Sequence, residues 1–100
     1  MAYKSKFAKA DIDELFDGIL SLKSREECYR FFEDICTINE INAIAQRLQV
    51  AKLLSEKKTY SEIEKITKAS TATISRINKC LMYGAEGYGL VLKNLGIEEK

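Results

Sequence analysis

Three tetrads of the form Ser/Thr-x-x-Glu divide the chain into helices with defined starting points. They are Ser24–Glu27, Thr37–Glu40 and Thr59–Glu62. In such a capping box the hydroxyl and the carboxylate each accept a hydrogen bond from a backbone amide that the first helical turn leaves unpaired. Apolar residues at spacings of three and four follow each tetrad, and the chain contains no proline. The sequence therefore predicts an all-α fold.

The helices predicted before residue 59 each carry an apolar stripe. The first covers about Lys9–Leu22, the second follows Ser24 and ends near Cys36, and the longest covers Ile38 to about Ser55. Their stripes are Ile12, Leu15, Phe16, Ile19 and Leu20; Cys28, Phe31, Phe32 and Ile35; and Ile41, Ile44, Ala45, Leu48, Val50, Ala51, Leu53 and Leu54. Apolar groups cover so much of the longest helix that we expect it to be packed on several sides, as at a dimer centre. Ordinary core packing is the simpler explanation of each stripe.

The length of 100 residues predicts a single helical domain over residues 1–100. A chain of this size buries only about two-thirds of its unfolded surface, whereas 46% of its residues are hydrophobic. A second copy would cover part of the remainder. We therefore expect a homodimer.

Residues 59–83 follow the pattern of a helix-turn-helix. A short helix begins at about Tyr60 with Ile63 and Ile66 as its buried stripe, and Lys68-Ala69 interrupts it. Ser70 can cap a second helix, which runs from Thr71 to about Tyr83 and which we call the recognition helix. Its inward stripe is Ile74, Ile77 and Leu81.

A second face of the recognition helix combines small, hydroxyl and basic side chains. Its members are Ala72, Ser75, Arg76 and Lys79. Small residues let a helix backbone approach base edges in the major groove, while Arg and Lys meet phosphates. The pattern favours DNA binding. The alternative is an ordinary helical hairpin with a solvated polar face.

Charge is unevenly distributed although the net charge is only +1. Residues 1–36 hold six cations and eight anions. Residues 58–83 hold five cations (Lys58, Lys65, Lys68, Arg76 and Lys79) and two anions (Glu62 and Glu64). The local field of the predicted helix-turn-helix therefore suits a polyanion such as DNA.

Several other classes of protein are disfavoured by the sequence. No run is long enough to span a membrane and the start lacks the apolar core of a signal peptide, so we expect a cytoplasmic location. Cys28, Cys36 and Cys80 fit no zinc motif and there is no His, so we expect buried, reduced thiols and no metal or cofactor. The sequence shows no nucleophile–base pair and no glycine-rich phosphate loop, so we do not expect an enzyme.

The C-terminal segment is predicted to form a short last helix. Gly84 is placed to end the recognition helix in a left-handed conformation, and Gly87 and Gly89 are expected to form a turn. The last helix would cover Tyr88–Leu95 and dock through its apolar side chains, leaving residues 97–100 frayed. Those side chains are Leu90, Val91, Leu92 and Leu95.

The chain resembles the tryptophan-repressor family, and within it the small repressor-related group often labelled YerC/YecD. The resemblance rests on Thr37-Ile38-Asn39-Glu40 opening the long helix, on Arg47 and Leu53-Leu54 within it, on Thr59-Tyr60-Ser61-Glu62-Ile63, and on Ser70-Thr71-Ala72-Thr73-Ile74-Ser75-Arg76. It covers about Ile35–Leu81 at the level of residues and the flanking helices by pattern.

The resemblance implies about six helices interleaved with a twin chain, each subunit projecting one helix-turn-helix. Two such units related by a twofold axis would enter successive major grooves of a palindromic operator, with half-sites ~34 Å apart. The implied role is transcriptional regulation, most simply repression by occupying a promoter. In the family two arginines hold the corepressor, and Arg47 and Arg76 match those positions, with Thr37 near the same cavity.

The sequence departs from the family at the implied corepressor site. The residue after the second arginine is Gly in the tryptophan repressor, whereas Ile77 stands here and would fill space left for the ligand. The span from Arg47 to Thr59 is also one residue shorter. Ligand-independent binding, or an effector other than tryptophan, is therefore expected.

The turn departs from the wider helix-turn-helix pattern. Glu64 stands where many such motifs have a small residue, and Lys68 stands where Gly commonly allows a positive backbone angle. A lysine there implies local strain or a looser turn.

We expect the contacts to DNA to divide into two groups. Base edges would be met by Thr71, Ala72 and Ser75. Backbone contacts and non-specific charge would come from Thr59, Ser61, Ser70, Thr73, Lys68 and Lys79, with Arg76, Lys65 and Lys58 in addition. The rival hypothesis is a helical interaction module that binds a protein partner and touches DNA weakly or not at all, which Glu62 and Glu64 would favour.

Overall fold

A computed structural model describes residues 3–97, and all the regular structure in that range is helical. The elements are α1 Ala10–Leu20, α2 Arg25–Ile35, α3 Ile38–Ser55, α4 Tyr60–Thr67, α5 Thr71–Tyr83 and α6 Gly87–Asn94. The predicted all-α fold is confirmed, and the predicted starts and ends of α3 and α5 agree with the structure. No helix within residues 3–97 is long and apolar enough to cross a bilayer.

Hydroxyl caps start three of these helices. The Thr59 hydroxyl accepts from the Glu62 amide at 3.1 Å, and the Glu62 carboxylate accepts from the Thr59 amide at 2.9 Å, which completes the predicted box. Ser70 caps α5 through the Thr73 amide at 3.1 Å. Ser24 caps α2 through the Glu27 amide.

Of the two hydrogen bonds of the capping box predicted at Ser24, the one from the Ser24 amide to the Glu27 carboxylate is not formed. The Glu27 carboxylate accepts from the Lys23 amide at 2.8 Å, one residue before the cap, so it reaches past Ser24. The box predicted at Thr37–Glu40 stays a prediction.

The chain separates into two compact units, Met1–Ile38 and Asn39–Lys100. The single-domain expectation stays a prediction. In the first unit α1 and α2 contain no fully buried residue. Phe31 and Phe32 meet edge to face with ring centroids 5.5 Å apart, and both are half-buried.

Several predicted stripe residues of the first unit are not covered within the chain. These are Leu15, Phe16, Leu20, Cys28 and Ile35. Their helical spacing is as predicted, but two short helices enclose too little volume to bury both stripes completely.

The core lies in the second unit and is built from all four of its helices and the turn. Its buried residues are Val50, Ala51, Leu53, Ile63, Ala69, Ile74, Ile77 and Leu92. The predicted inward roles of Ile63, Ile74 and Ile77 are confirmed, and Leu81 is half-buried against the core.

Three residues predicted to lie in buried stripes of the second unit are exposed within the described chain. Ile66 is 60% exposed, because α4 has only eight residues and its inward side is already occupied by Ile63. On α3, Ile44 is 51% exposed and Ala45 is also exposed, because the core of this unit forms on the C-terminal half of that helix.

The predicted buried thiols are also wrong. Cys28 and Cys80 are exposed and Cys36 is half-buried, and all three are free. No cluster of metal-ligating side chains occurs within residues 3–97.

The C-terminal segment differs from the prediction at its glycines. Gly84 has φ −83°, not a left-handed angle, and a Cβ there would lie 2.5 Å from the carbonyl oxygen of Cys80. Glycine is required by this close approach. Gly87 and Gly89 lie inside α6 and do not form the turn.

Ile97 is anchored, contrary to the prediction that it is frayed. Gly96 adopts φ 82° after α6, and this left-handed residue directs the Ile97 amide to the Leu92 carbonyl at 2.8 Å. Leu92 is the buried contact of the helix, whereas Leu90, Val91 and Leu95 are exposed. The prediction for residues 98–100 lies outside the described residues.

Candidate nucleic-acid interface

The α4–turn–α5 segment is fixed from its inner side. Ile63 and Ile74 are completely buried, and Ala69 places the turn itself against the core. The side-chain amide of Gln46 on α3 donates to the Thr67 carbonyl at 3.0 Å. These contacts hold the segment on α3 and leave its other side to solvent.

The turn is closed by a left-handed lysine and a bridging hydroxyl. Lys68 has φ 64° and ψ 12°, so of the two outcomes expected here, local strain or a looser turn, the structure shows the positive backbone angle. The Thr67 hydroxyl donates to the Ile63 carbonyl at 2.8 Å and accepts from the Ala69 amide at 3.1 Å. The turn therefore has a defined conformation without glycine.

The predicted DNA-contacting residues all lie in the second unit, on one continuous segment. Those exposed to solvent are Thr59, Ser61, Lys65, Lys68, Ser70, Thr71, Ala72, Arg76 and Lys79. Thr73 and Ser75 are half-buried. The structure thus places the polar face of α5 opposite its buried isoleucines.

Hydrogen bonds within the segment occupy some of these hydroxyls. Thr59 and Ser70 cap helices, and the Ser70 hydroxyl also donates to Thr73 Oγ1 at 3.1 Å. Among residues 3–97 the Ser75 hydroxyl has no hydrogen-bond partner. Ser75 is therefore the hydroxyl of α5 best placed to bond a ligand.

The basic side chains of the segment are unpaired. The ion pairs in residues 3–97 are Lys9–Asp11 and Arg30–Glu26, both in the first unit. The five cations predicted to face DNA are exposed and have no carboxylate within ion-pair distance in the described chain. They are Lys58, Lys65, Lys68, Arg76 and Lys79. Phosphates could be bound without first breaking an internal pair.

Glu64 is a member of this surface that sequence reasoning assigned no contact. The Thr71 hydroxyl donates to Glu64 Oε2 at 2.7 Å, linking α4 to the first residue of α5. Both residues are exposed. The two residues are seven apart in the sequence, across a three-residue turn, but this spacing alone does not fix the rotamers that bring them together.

Arg47 and Arg76 lie near a shared neighbour, Tyr88. Burial raises the pKa of Tyr88, the nearby Cys80 raises it further, and the positive charges of Arg47 and Arg76 oppose the shift. Both arginines are exposed. Tyr88 was not predicted to belong to this site, because the sequence places it on a separate helix.

The other residues of the implied effector site differ in their burial and in the unit to which they belong. Ile77 is 3% exposed within the core. Thr37 belongs to the Met1–Ile38 unit, whereas both arginines belong to the other unit. After α3 ends at Ser55, Lys57 adopts φ 66°, and the Lys58 amide donates to the Leu53 carbonyl at 3.1 Å, so the shortened loop closes tightly.

A cavity of about 470 Å³ lies between the end of α3, α5 and α6. Its lining includes Ser55, Cys80, Leu81, Tyr88, Leu92 and Ile97. Neither Arg47 nor Arg76 lines it, whereas Tyr88, the shared neighbour of the two arginines, does.

Comparison with protein families gives a match over most of the chain. Residues 10–96 match the family model described as Trp repressor protein. The chain belongs to the Trp repressor family. The family comprises DNA-binding regulators.

Relatives and solved structures of the Trp repressor family agree with this assignment. The chain is 58% identical over 87 residues to the uncharacterized protein YerC of Bacillus subtilis strain 168, covering 87% of this chain and 84% of YerC. A Staphylococcus aureus crystal structure described as a candidate Trp repressor has 50% identity and a TM-score of 0.90, with 95% of each chain covered. A TrpR-like protein from Eubacterium eligens has 54% identity and a TM-score of 0.85, covering 90% of this chain and 93% of its own.

Proposed function

We propose that this protein is a sequence-specific DNA-binding transcriptional regulator that acts as a repressor. The observation that carries the proposal is the exposed face of α5. Its isoleucines are buried, its small and basic side chains face solvent, and its cations form no ion pair within residues 3–97. A helix with this arrangement can enter the major groove without rearranging the core.

The contacts follow from position along α5. Thr71 and Ala72 lie in its first turn and Ser75 one turn later, where a recognition helix meets base edges. Ala72 offers only a methyl group, which suits the methyl of thymine. Lys68, Arg76 and Lys79 meet phosphates, with Lys58 and Lys65 adding charge. Thr59, Ser61, Ser70 and Thr73 contribute polar groups to the DNA backbone.

The active form is a homodimer on a palindromic operator. Ile44 on α3 and Phe16 and Leu20 on α1 are large apolar side chains that the described chain leaves exposed, and a second copy would cover such surface. Two α5 helices related by a twofold axis would enter successive major grooves, with half-sites ~34 Å apart. Because its proposed target is DNA, we propose that the protein is located in the cytoplasm.

Tryptophan is not the effector in this proposal. Ile77 fills core volume beside Arg76, so the protein binds DNA without a ligand or responds to another small molecule held by Arg47 and Arg76. A thermal shift assay with each amino acid tests this directly. A clear rise of the melting temperature with tryptophan would contradict it.

A salt titration against random duplex DNA tests the function itself. Binding should weaken steeply between low and moderate salt, because each neutralised phosphate releases counterions. Absence of measurable binding to random and selected duplexes would favour the rival function, a helical module that binds a protein partner. The carboxylates of Glu62 and Glu64 on the same segment support that rival.

A further inference from the structure

We propose that Glu64 and Thr71 together form a specificity element that selects a cytosine in each half-site. This inference rests on the proposed function and adds to it a residue for base selection. It begins from the 2.7 Å hydrogen bond between Thr71 Oγ1 and Glu64 Oε2. That bond fixes a carboxylate beside Thr71, the first residue of α5, which precedes Ala72 in the sequence.

The pair presents hydrogen-bond acceptors only. The Thr71 hydroxyl uses its proton on Glu64, which leaves an oxygen lone pair, and an ionised carboxylate has no donor. Within residues 3–97 no cation forms an ion pair with Glu64. The acceptor surface is therefore available at the place where α5 would meet base edges.

The major-groove edges of the four bases differ in how they meet such a surface. Cytosine offers the N4 amino donor, whereas guanine offers two acceptors and thymine offers the O4 acceptor. Adenine offers an amino donor beside its N7 acceptor, and N7 would then lie opposite an acceptor of the pair without a hydrogen bond. Cytosine is thus the base whose edge complements Glu64 and Thr71.

Electrostatics gives the carboxylate a discriminating role. A negative charge near phosphates weakens binding to every sequence, and a hydrogen bond from cytosine offsets that loss only at the correct base. Glu64 therefore acts against wrong sites as well as for the right one. Its neighbours Lys65 and Lys68 hold the segment on the phosphates whatever the sequence.

The test uses the full chain and duplexes selected by it from a random pool. Each base pair of the selected half-site is changed in turn, with C·G replaced by T·A to exchange the amino donor for an acceptor. For the unmodified protein, replacing one particular C·G pair in each half-site should weaken binding by about tenfold. In Glu64→Gln the same replacement should change the affinity by no more than about twofold. Replacements of the other base pairs should have the same effect as in the unmodified protein, and binding to random duplex should become stronger.

Two further variants sharpen the result. Thr71→Val keeps a β-branched side chain and removes the hydroxyl, so it should reduce discrimination at the same base pair. Glu33→Gln removes one exposed carboxylate from α2 and should leave the base preferences unchanged. Circular dichroism confirms that each variant is folded.

The outcomes separate the inference from the function on which it rests. Sequence-specific binding whose base preferences are the same in Glu64→Gln would overturn the inference and leave the proposed function standing. A uniform gain of affinity in Glu64→Gln, with no change of preference, would also overturn it. If no duplex binds, both fail together.

Discussion

Lys68 is a lysine in a backbone conformation that favours glycine. Its φ of 64° places it in the left-handed region, which costs about 1 kcal/mol for a residue with a Cβ. Lys68→Gly should therefore raise the free energy of unfolding by up to about 1 kcal/mol and weaken DNA binding through the lost cation. Lys65→Gly removes the same charge from inside α4 and should instead lower stability by about 1 kcal/mol. Urea unfolding of both variants measures whether the two changes in the free energy of unfolding have opposite signs.

Gly84 can be tested in the same way. A Cβ at this position would lie 2.5 Å from a backbone oxygen, so Gly84→Ala should lower the free energy of unfolding by about 1 to 3 kcal/mol. Gly18 lies within α1 and a Cβ there would meet no atom within 4 Å. Gly18→Ala should raise stability by about 1 kcal/mol through helix propensity. Equal effects of the two substitutions in thermal unfolding would refute this account of Gly84.

The two kinds of DNA contact should separate by substitution. Ser75→Ala removes a hydroxyl without an internal partner and should cost ~1 to 3 kcal/mol of affinity, chiefly for the selected operator. Lys79→Ala removes a phosphate contact, so it should weaken binding to all sequences alike and reduce the salt slope by about 1. Gel-shift titrations over a salt series measure both. Unchanged affinities in both variants would show that α5 is not the DNA-binding helix.

At the scale of the helix, the start of α4 depends on Thr59. The hydrogen bond from the Thr59 amide, and then the interaction with its hydroxyl, lower the pKa of Glu62. A lowered folded-state pKa gives stability that is present above the unfolded pKa and is lost as the pH falls through the folded value. Thr59→Ala should cost about 1 kcal/mol of stability at neutral pH and raise the pKa of Glu62. An NMR titration of the Glu62 carboxyl measures this shift, and Ser24→Ala, which removes the cap of α2, should leave it unchanged.

Helix starts could be predicted because their causes are local. The caps at Thr59 and Ser70 depend on residues within one turn of each other. Apolar spacing likewise identified Ile63, Ile74 and Ile77 as inward-facing. The Glu64–Thr71 contact and the approach of Arg47 and Arg76 to Tyr88 could not be predicted, because they depend on how separate helices pack. Gly84 was correctly placed at the end of α5, but the cause is a steric contact and not a backbone angle.

At the scale of the whole molecule, sequence periodicity predicts that a face is covered without telling which chain covers it. Ile44 and Ile66 both belonged to predicted stripes, and both are more than half exposed within one chain. For the proposed homodimer we expect Ile44 to be covered by the partner and Ile66 to stay exposed. Ile44→Lys should then weaken dimerisation strongly, whereas Ile66→Lys should not. Sedimentation equilibrium over a dilution series distinguishes them, and equal self-association of the two variants would contradict this assignment.

The central claim is that the exposed face of α5 in two subunits reads two adjacent major grooves. Hydroxyl-radical footprinting on a duplex selected from a random pool tests it most directly. We predict two protected segments on one side of the duplex, related by a dyad with centres ~34 Å apart, and lost together in Lys79→Ala at moderate salt. A single protected segment, or protection that does not respond to substitutions on α5, would contradict the account.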